Sequence, residues 1–570
     1  MSKTILQFNN FSFKYRSQAQ PTLHNIDLSI QEGEKILIVG PSGSGKSTLG
    51  LCINGLVPHS YEGEITGELF IHSENATTQD IFTRSKMVGT VLQDPDGQFI
   101  GLTVGEDIAF SLENDCVEQD QMKRRVKDVA KLVEMDDHLS YSLHHLSGGQ
   151  KQRVALGGVM VDDVDLLLFD EPLANLDPAT GKYAIELIDR IHKETNKTII
   201  MIEHRIEDVL HCDVDRIIVM DNGRIVSDST PAELLSSNQL EETNLREPLY
   251  IRALKYAGCE ITPDMNPAQF STLSLNGCEQ KLRDWYDSAN NQQDNQSSAP
   301  LLELQNISFQ YPNGKSIFQD LSVSISKGEM ISIVGKNGAG KSTLTKIICG
   351  FEQAQSGRML FGGQDMTNDT IKERSLRIGM VMQNPNHMIS KHMIYDEVAL
   401  GLVVRRVPED EIKARVENTL KICGLYPYRN WPISALSFGQ KKRVTIASIL
   451  VMNPEIIILD EPTAGQDFKH YTEIMEFLVE LNKQGITIVM ITHDMHLMLE
   501  YTKRTIVIGN GGKMADDHSV QILANQAILN EANLKETTLF DLAALSGIDD
   551  SIQFVQRFIS YDREVRKIWQ

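Results

Sequence analysis

The sequence predicts two consecutive α/β domains, each built on a mostly parallel core sheet. Three observations support this fold class. A set of motifs occurs twice, short apolar segments typical of buried strands precede those motifs, and each motif is polar and rich in glycine or acidic residues. Because ligands bind at the carboxyl ends of the strands in an open α/β sheet, the polar residues of each copy are expected to converge on one site.

The duplication covers three motifs in a fixed order. A glycine-rich segment at 40–48 returns at 335–343, Leu-Ser-Gly-Gly-Gln at 146–150 returns as Leu-Ser-Phe-Gly-Gln, and Asp170-Glu171-Pro172 returns at 460–462. Lys46 and Lys341 are 295 residues apart, whereas Asp170 and Asp460 are 290 apart, so the first copy has five extra residues between its first two motifs. A repeat in this order indicates two related domains.

The apolar segments are expected to be the core strands. In the first copy they are 35–39, 166–169 and 198–202, and in the second they are 331–334, 456–459 and 486–490. We predict a first domain at 1–232, an accessory segment at 233–299, a second domain at 300–518 and a C-terminal accessory helical segment at 519–570. The polar stretch 288–300, which ends in proline, is typical of a flexible linker.

Composition limits the class of protein. The chain has 570 residues and a formal net charge of −22, which disfavours a nucleic-acid partner. Its seven cysteines include no Cys-x-x-Cys pair, so zinc or redox chemistry is not indicated. No apolar run reaches the roughly 18 residues of a membrane helix, and no secretory signal is apparent at the start. We expect a cytosolic chain that reaches a membrane through a partner.

Both glycine-rich segments match the Gly-x-x-x-x-Gly-Lys-Ser/Thr phosphate-binding pattern. Their backbone N–H groups and the following helix N-terminus favour phosphate oxygens. The lysines are expected to reach the β- and γ-phosphates, and Ser47 and Ser342 to offer hydroxyls to Mg²⁺. The predicted nucleotide contacts are Gly40, Pro41, Ser42, Gly43, Ser44, Gly45, Lys46, Ser47 and Thr48, and Gly335, Lys336, Asn337, Gly338, Ala339, Gly340, Lys341, Ser342 and Thr343.

The paired acids follow two of the predicted strands. Asp170 and Asp460 are expected to hold Mg²⁺ at the strand ends. Glu171 and Glu461 come next and are expected to orient or deprotonate the attacking water. The alternative for these glutamates is a capping role at the following turn.

The Leu-Ser-Gly-Gly-Gln segment resembles the signature sequence of ABC ATPases, and the resemblance covers 1–232 and 300–515. It implies an antiparallel β subdomain and a helical signature subdomain beside each core sheet. It also implies further site residues in each copy. These are Tyr15 and Tyr311 for adenine stacking, Gln93 and Gln383 near Mg²⁺ and the attacking water, Asp177 and Asp467 in the loop that couples two sites, and His204 and His493 at the γ-phosphate.

The signature serines, Ser147 and Ser437, are good helix N-caps, so each is expected to present a helix N-terminus to a phosphate. The resemblance implies that the signature of one copy closes over the nucleotide of the other, with contacts from Ser147, Gly148, Gly149, Ser437 and Gly439. Phe438 and Gln466 depart from the pattern, but neither removes a reacting group, so two working sites are expected.

The glutamine loops are similar to those of energy-coupling-factor importers of vitamins and transition-metal ions. Both carry a Gln-Asp/Asn-Pro-Asp/Asn pattern, at 93–96 and at 383–386. The resemblance implies an ATPase that powers an integral-membrane coupling protein and a separate membrane substrate-binding protein from the cytoplasmic face of the cell membrane. A fused sugar-importer ATPase and a soluble tandem ABC protein acting in translation are the alternatives. The absence of zinc-type cysteine pairs disfavours a DNA-repair ABC protein.

Apolar residues after each glutamine loop are expected to form the surface on which a membrane partner docks. The loops contain prolines and a glycine, which favour exposed turns. The predicted surface residues are Phe99, Ile100, Leu102 and Val104 in the first copy, and Met388, Ile389, Met393 and Ile394 in the second.

Overall fold

The computed structural model describes residues 3–174, 176–288, 299–312, 314 and 316–568. The chain divides into two compact units, Met1–Trp285 and Tyr286–Gln570. Residues 289–298 of the predicted linker lie outside the described residues.

The described strands of the first unit form two sheets. A four-stranded antiparallel sheet has the order β2-β1-β4-β5, and a six-stranded sheet has the order β10-β9-β3-β8-β7-β6. In the larger sheet all neighbours are parallel except β9 and β10. The strands are β1 (Thr4–Tyr15), β2 (Leu23–Gln31), β3 (Lys35–Val39), β4 (Gly63–Ile71), β5 (Glu74–Asn75), β6 (Val88–Val91), β7 (Leu166–Asp170), β8 (Thr198–Ile202), β9 (Arg216–Asp221) and β10 (Arg224–Ser229).

Helices surround these sheets and continue beyond the last strand. The α-helices are α1 (Lys46–Ile53), α2 (Leu56–His59), α3 (Ile81–Ser85), α4 (Val104–Asn114), α5 (Gln119–Leu132), α6 (Gly148–Met160), α7 (Pro178–Thr195), α8 (Ile206–Val209), α9 (Pro231–Leu235), α10 (Gln239–Glu242), α11 (Leu249–Tyr256) and α12 (Cys278–Ser288). Short 3₁₀ helices span Ala76–Thr78, Pro95–Gly97, Asp136–His138, Leu143–His145, Pro263–Met265 and Phe270–Thr272.

The second unit repeats the architecture. Its described strands form an antiparallel sheet of order β12-β11-β14-β15 and a larger sheet of order β16-β17-β18-β13-β19-β20, which is parallel except between β19 and β20. The strands are β11 (Pro300–Gln310), β12 (Ser316–Ser326), β13 (Met330–Val334), β14 (Ser356–Phe361), β15 (Gln364–Asp365), β16 (Ile378–Val381), β17 (Ile456–Asp460), β18 (Thr487–Ile491), β19 (Arg504–Gly509) and β20 (Gly512–His518).

The helices of the second unit follow the same pattern. They are α13 (Lys341–Cys349), α14 (Ile371–Arg374), α15 (Ile394–Val404), α16 (Glu409–Ile422), α17 (Phe438–Leu450), α18 (Phe468–Lys483), α19 (Met495–Tyr501), α20 (Ser519–Leu523), α21 (Gln526–Ala532), α22 (Thr538–Leu545) and α23 (Ser551–Ile568). Short 3₁₀ helices span Pro385–His387, Tyr426–Tyr428 and Ile433–Ala435. None of the helices among the described residues is both long and apolar enough to cross a bilayer.

The central strands are buried along their whole length because both faces of the larger sheet are covered. Every residue of β3 and of β8 is buried. One face of this sheet packs with the antiparallel sheet and α1 into a single hydrophobic cluster. The α/β fold with two mostly parallel core sheets is therefore confirmed, and the predicted strands 35–39 and 198–202 have the observed bounds.

Candidate functional site

The glycine-rich segment of the first unit forms a tight loop between β3 and α1. Gly43 and Gly45 have φ of 80° and 100°, a region that favours glycine. Lys46 is the first residue of α1 and is buried, and its Nζ donates to the carbonyl oxygens of Gly40 at 2.8 Å and Pro41 at 3.0 Å. The loop therefore folds around its own lysine and leaves Ser47 exposed at the second helical position.

The second unit reproduces this loop between β13 and α13. Nζ of Lys341 donates to the carbonyl oxygens of Gly335 at 2.7 Å and Lys336 at 3.1 Å. Gly338 and Gly340 have φ of 77° and 103°, and Ser342 is exposed. Both loops thus place a lysine and a hydroxyl at a helix N-terminus, an arrangement suited to a polyphosphate.

The predicted adenine residues lie beside these loops. The hydroxyl of Tyr15 is 3.1 Å from Oγ1 of Thr48, and that of Tyr311 is 3.2 Å from Oγ1 of Thr343. Each tyrosine is therefore fixed to the first turn of the helix that begins at the lysine.

The paired acids stand at the carboxyl ends of β7 and β17. Asp170 and Asp460 are the last residues of these strands. Glu171 and Glu461 follow with φ of 50° and 46°, in the left-handed region that non-glycine residues avoid. Backbone strain of this kind costs about 1–3 kcal/mol and is concentrated at functional sites.

Glu171 contacts two of the other predicted site residues, Gln93 and His204. Its Oε2 accepts a hydrogen bond from Nε2 of Gln93 at 2.6 Å, and its Oε1 is 3.1 Å from Nε2 of His204. Burial would raise the pKa of Glu171, but the hydrogen bond from His204 and the charges of His204 and Lys46 lower it below its usual value. This carboxylate is therefore held ionised between a side-chain amide and an imidazole.

In the second unit the corresponding contact is longer. Nε2 of His493 is 3.5 Å from Oε1 of Glu461. Thr492, which precedes this histidine, has its hydroxyl 3.5 Å from Oε2 of the same glutamate. Gln383 is exposed in the loop that follows β16.

Asp170 has the properties of a cation ligand. Its Oδ1 is buried and makes no hydrogen bond to the described residues. Burial, together with the neighbouring Glu171, raises its pKa to about 6. Burial also raises the pKa of Asp460, against the opposing charges of Lys341 and Lys442. A carboxylate and a serine hydroxyl are oxygen ligands of the kind Mg²⁺ accepts beside phosphates. The residues present therefore fit Mg²⁺.

No cluster of three or more His, Cys, Asp or Glu side chains suited to a metal occurs in the part of the chain that the structure describes. Mg²⁺ at a nucleotide needs no such cluster, because substrate phosphates and water supply most of its ligands.

The signature serines form the predicted caps. Ser147 Oγ accepts from the backbone N of Gln150 at 3.3 Å, and Gln150 Oε1 accepts from the backbone N of Ser147 at 2.9 Å. Ser437 and Gln440 form the same reciprocal pair at 3.3 and 3.0 Å. These capping boxes start α6 and α17, so Gly148, Gly149 and Gly439 lie in the first turn of a helix.

Within each unit the signature lies against the predicted coupling loop. A Cβ at Gly149 would come within 2.5 Å of Thr180 Cγ2, and one at Gly439 within 3.4 Å of His470 Cδ2. Asp177 and Asp467 are buried and cap the helices that carry these neighbours, with Oδ1 accepting at 2.9 and 2.8 Å. Both aspartates thus have a structural role in addition to the one implied by the resemblance.

Comparison with known proteins identifies the family. The family described as ABC transporter matches residues 23–174 and 318–464, more than half of the chain and both sets of motifs. The chain belongs to the ABC transporter ATP-binding proteins. A second family, described as ATP-binding cassette cobalt transporter, matches 237–309.

Similar proteins extend over the whole chain. A protein of Clostridium perfringens with the provisional name ABC transporter ATP-binding protein is 59% identical, over 99% of each chain. One of Enterococcus faecalis with the same provisional name is 57% identical, over 99% of this chain and 100% of its own.

Among solved structures, cbiO1 of Clostridium perfringens, described as part of the ABC transporter complex cbiONQ, is 36% identical. It covers 44% of this chain and 99% of its own, with a TM-score of 0.39. A nucleotide-free cassette from an ABC transporter is 26% identical, covers 42% of this chain and 100% of its own, and has a TM-score of 0.38.

As a member of this family, the chain is an ATPase coupled to transport, and its two units are ABC cassettes. The predicted docking residues divide into exposed and buried groups. Ile100 and Leu102 are 63% and 78% exposed. Val104 and Ile394 are fully buried, so their prediction as surface residues was wrong. They are the first residues of α4 and α15 and point into the domain core.

The remaining predicted docking residues are half-buried. Met388 and Ile389 pack against the core of the second cassette, and Sδ of Met388 accepts from the backbone N of Met382 at 3.1 Å. Phe99 and Met393 are also only partly accessible. The positions equivalent to Ile100 and Leu102 are Ser390 and His392, both exposed and polar. The two cassettes therefore present unlike surfaces beside their glutamine loops.

Two buried charges that were not expected from the sequence, Glu203 and Lys442, lie next to the predicted site residues. Glu203 is buried next to His204. Lys442 is 1% exposed, and its Nζ donates to the backbone oxygen of Glu461 at 2.8 Å. Burial lowers the pKa of Lys442 to about 8, although Glu461 and Asp460 oppose the shift. The sequence offered one signal for each residue. Glu203 stands one position before His204, and Lys442 lies in the helix that begins at the signature.

Proposed function

We propose that this ABC ATPase powers an importer of the energy-coupling-factor type, for a transition-metal ion or a vitamin. The observation that carries the proposal is the match of 237–309 to the family described as ATP-binding cassette cobalt transporter. That segment lies between the two cassette matches, so the chain combines two ABC motors with a segment typical of cobalt-transporter ATPases. The Gln-Asp/Asn-Pro-Asp/Asn loops point to the same class of importer.

In this proposal the partners are an integral-membrane coupling protein and a separate membrane substrate-binding protein, and the chain acts at the cytoplasmic face of the membrane. We define the docking surface of the first cassette as Leu92, Ile100 and Leu102, which are all exposed. Apolar side chains exposed next to a loop that contacts the reacting carboxylate are suited to a partner that must sense the state of the site. In the second cassette the polar Ser390 and His392 would contact a different segment of the partner.

The proposed chemistry is hydrolysis of the γ-phosphate of ATP at each cassette. Lys46 and Lys341 would hold the β- and γ-phosphates, with Ser47, Asp170 and Gln93 as Mg²⁺ ligands in the first site and Ser342, Asp460 and Gln383 in the second. Bound Mg²⁺ would neutralise charge on the β- and γ-phosphate oxygens.

Glu171 and Glu461 would accept the proton of the attacking water and direct its oxygen toward the γ-phosphorus. His204 and His493 would orient these carboxylates and contact the γ-phosphate. Ser147, Gly148 and Gly149, and Ser437 and Gly439, would complete the site of the opposite cassette. Each site would then be composite, and the cassettes would pair with each other.

The docking proposal is tested by introducing charge into the surface. The double variant Ile100→Asp, Leu102→Asp is expected to abolish co-purification with the membrane partner, because a buried unpaired carboxylate is costly. Binding of ATP by the chain should remain unchanged, since neither residue touches the phosphate loop. Leu545→Asp, at a similarly exposed leucine on α22, is the control and should leave the complex intact.

The substrate class is tested by uptake in cells that express the chain with its membrane partners. Transport of labelled cobalt, nickel or a vitamin should depend on the chain and stop in the Glu171→Gln, Glu461→Gln variant. Uptake of a sugar instead of these compounds would overturn the assignment to this importer class. Retention of the complex on membranes in the Ile100, Leu102 double variant would place the docking surface elsewhere.

A further inference from the structure

Glu203 links two loops of the first cassette that carry proposed reacting groups. Its side chain is 3% exposed. Oε1 accepts a hydrogen bond from the backbone N of Leu173 at 2.9 Å, in the turn that follows Glu171. Oε2 accepts from the backbone N of His204 at 2.7 Å and of Arg205 at 3.2 Å. One buried carboxylate therefore joins the loop after β7 to the loop after β8.

The link in the second cassette is weaker: the hydroxyl of Thr492 donates to Oε2 of Glu461 at 3.5 Å, and among the described residues no side chain at this position bonds the backbone of the following turn. Thr492 occupies the position before His493, and its hydroxyl accepts a hydrogen bond from the backbone N of Asp494 at 2.9 Å. That bond corresponds to the one between Glu203 and Arg205, so threonine can connect residues within the loop after β18. Its side chain is too short to make the bond that Glu203 makes to the turn after the catalytic glutamate.

The histidine contacts differ in the same direction. The distance between Nε2 of the histidine and Oε1 of the glutamate is 3.1 Å in the cassette with Glu203 and 3.5 Å in the cassette with Thr492. A reacting group displaced by a fraction of an ångström loses rate, because catalysis depends on alignment with the reacting atoms.

We propose that Glu203 is a positioning residue for ATP hydrolysis at the first cassette, where it fixes the separation of Glu171 and His204. The two ATP sites of the chain are then chemically unequal. The first depends on the buried carboxylate of Glu203, which we call the brace because it joins the two loops. The second site does not depend on such a carboxylate. This inference rests on the proposed roles of Glu171 and His204 in hydrolysis.

The hydrogen bonds of Glu203 suit an ionised carboxylate, because both oxygens accept from backbone N–H groups, although the net effect of its surroundings is a raised pKa. Burial raises its pKa, and Glu171 acts in the same direction, whereas Arg205 and His204 lower it. The ionised form can accept from all three N–H donors through its two oxygens. In the protonated form one oxygen carries the proton and accepts less strongly, and in glutamine the amide nitrogen cannot accept at all, so both changes weaken the bond to one of the two loops.

Two substitutions separate the parts of the brace. Glu203→Thr keeps an acceptor for Arg205 but removes the bond to Leu173, which reproduces the second cassette. Glu203→Gln keeps the size of the side chain and leaves one loop without its acceptor. Glu247→Gln is the matched control, because Glu247 is 4% exposed in the accessory segment and pairs with Lys255 at 2.6 Å.

The assay is steady-state ATP hydrolysis by the full-length chain in complex with its membrane partners, with and without Glu461→Gln in the second cassette. Both Glu203 variants are expected to lower kcat roughly tenfold or more, as for a misplaced reacting group. KM should stay within about twofold, because the hydrogen bonds of the Glu203 side chain go to Leu173, His204 and Arg205 and, among the described residues, none goes to the phosphate loop. If the sites are coupled, the loss appears in the otherwise native chain. If they are independent, it appears in the Glu461→Gln background.

A pH profile distinguishes a brace from a purely structural carboxylate. The ratio of native to Glu203→Gln turnover should fall as pH decreases, because protonation of Glu203 gives the native site the same defect. Glu247→Gln should lower the thermal unfolding midpoint as much as the Glu203 variants, without changing kcat.

The outcomes are separable. Native kcat in both Glu203 variants, in both backgrounds, would overturn this inference, as would a loss fully explained by unfolding. Native turnover in the Glu171→Gln, Glu461→Gln chain would instead overturn the site assignment on which the inference rests.

Discussion

Gln93 donates a hydrogen bond from Nε2 to Oε2 of Glu171 over 2.6 Å, which connects the exposed glutamine loop directly to the carboxylate that follows β7. The same loop is bound to the signature helix, because Nζ of Lys151 is 2.6 Å from Oδ1 of Asp96. A displacement of this loop would therefore reach both the carboxylate of Glu171 and the signature helix through single contacts.

The first prediction follows from this contact. Gln93→Ala removes the amide that holds Glu171, and a hydrogen bond to a charged group contributes about 1.5–3 kcal/mol. If that contribution is made in the transition state, kcat falls about 10- to 100-fold, since 1.4 kcal/mol corresponds to a factor of ten. Steady-state hydrolysis checks this, with the exposed Gln119→Ala as control. Unchanged turnover in Gln93→Ala would show that the contact has no part in hydrolysis.

The second prediction concerns the metal. Asp170→Asn keeps the shape of the side chain but removes the charge of a buried oxygen that accepts no hydrogen bond from the described residues. The Mg²⁺ concentration for half-maximal hydrolysis should rise by at least about 10- to 100-fold, because loss of a residue that only hydrogen-bonds to a metal ligand already weakens metal binding by this factor. Asp165→Asn, immediately before the other end of the same strand, is the control. An unaltered Mg²⁺ requirement would remove Asp170 from the metal site.

The third prediction concerns pH and stability in the second cassette. The pKa of Lys442 is lowered to about 8, so between that value and its unfolded value the folded chain binds fewer protons. Raising the pH through this range therefore stabilises the native chain. Lys442→Gln keeps a donor for the backbone of Glu461 and should be more stable at pH 7, by up to about 3 kcal/mol at 1.4 kcal/mol per pKa unit.

Urea unfolding of the nucleotide-free chain between pH 7 and 10.5 measures this difference, which should shrink as the pH passes 8. The exposed Lys413→Gln provides the control and should show no pH-dependent difference. A stability difference that stays constant across the range would mean that Lys442 is not buried as an ammonium ion.

The fourth prediction tests composite sites. If the signature of the second cassette completes the first site, Lys46→Ala and Ser437→Arg damage the same site. The double variant should then cost little more than either change alone, whereas Lys46→Ala with Ser147→Arg should damage both sites. Single-turnover hydrolysis of the four variants gives the comparison. Additive losses in the Lys46, Ser437 pair would mean that each signature serves its own cassette.

Much of the architecture could be predicted because it depends on local pattern. Mostly apolar segments such as 35–39 and 198–202 are buried on both faces, so their bounds could be predicted from the apolar run and the motif that follows it. Val104 was mistaken for a surface residue because an apolar run does not show where a helix begins. Because Thr103 caps α4, Val104 is the first residue of the helix and its side chain points into the core.

The brace at Glu203 could not be predicted for a different reason. Its hydrogen-bond donors come from two segments about thirty residues apart in sequence, and their approach depends on β7 and β8 being neighbours in the sheet. The burial of Lys442 could not be predicted either, because a lysine near the start of a helix is expected to be exposed to solvent. The assignment of the remaining site residues to phosphate, metal and water stays a prediction.

The unlike surfaces at Ile100 and Leu102 and at Ser390 and His392 belong to one polypeptide. Translation therefore delivers an apolar and a polar surface in a strict one-to-one ratio, without any need to balance the expression of two genes. An assembly that requires one of each surface therefore always receives both. The surface of each cassette can therefore change in evolution to fit its own segment of the partner, because the other cassette is always made with it.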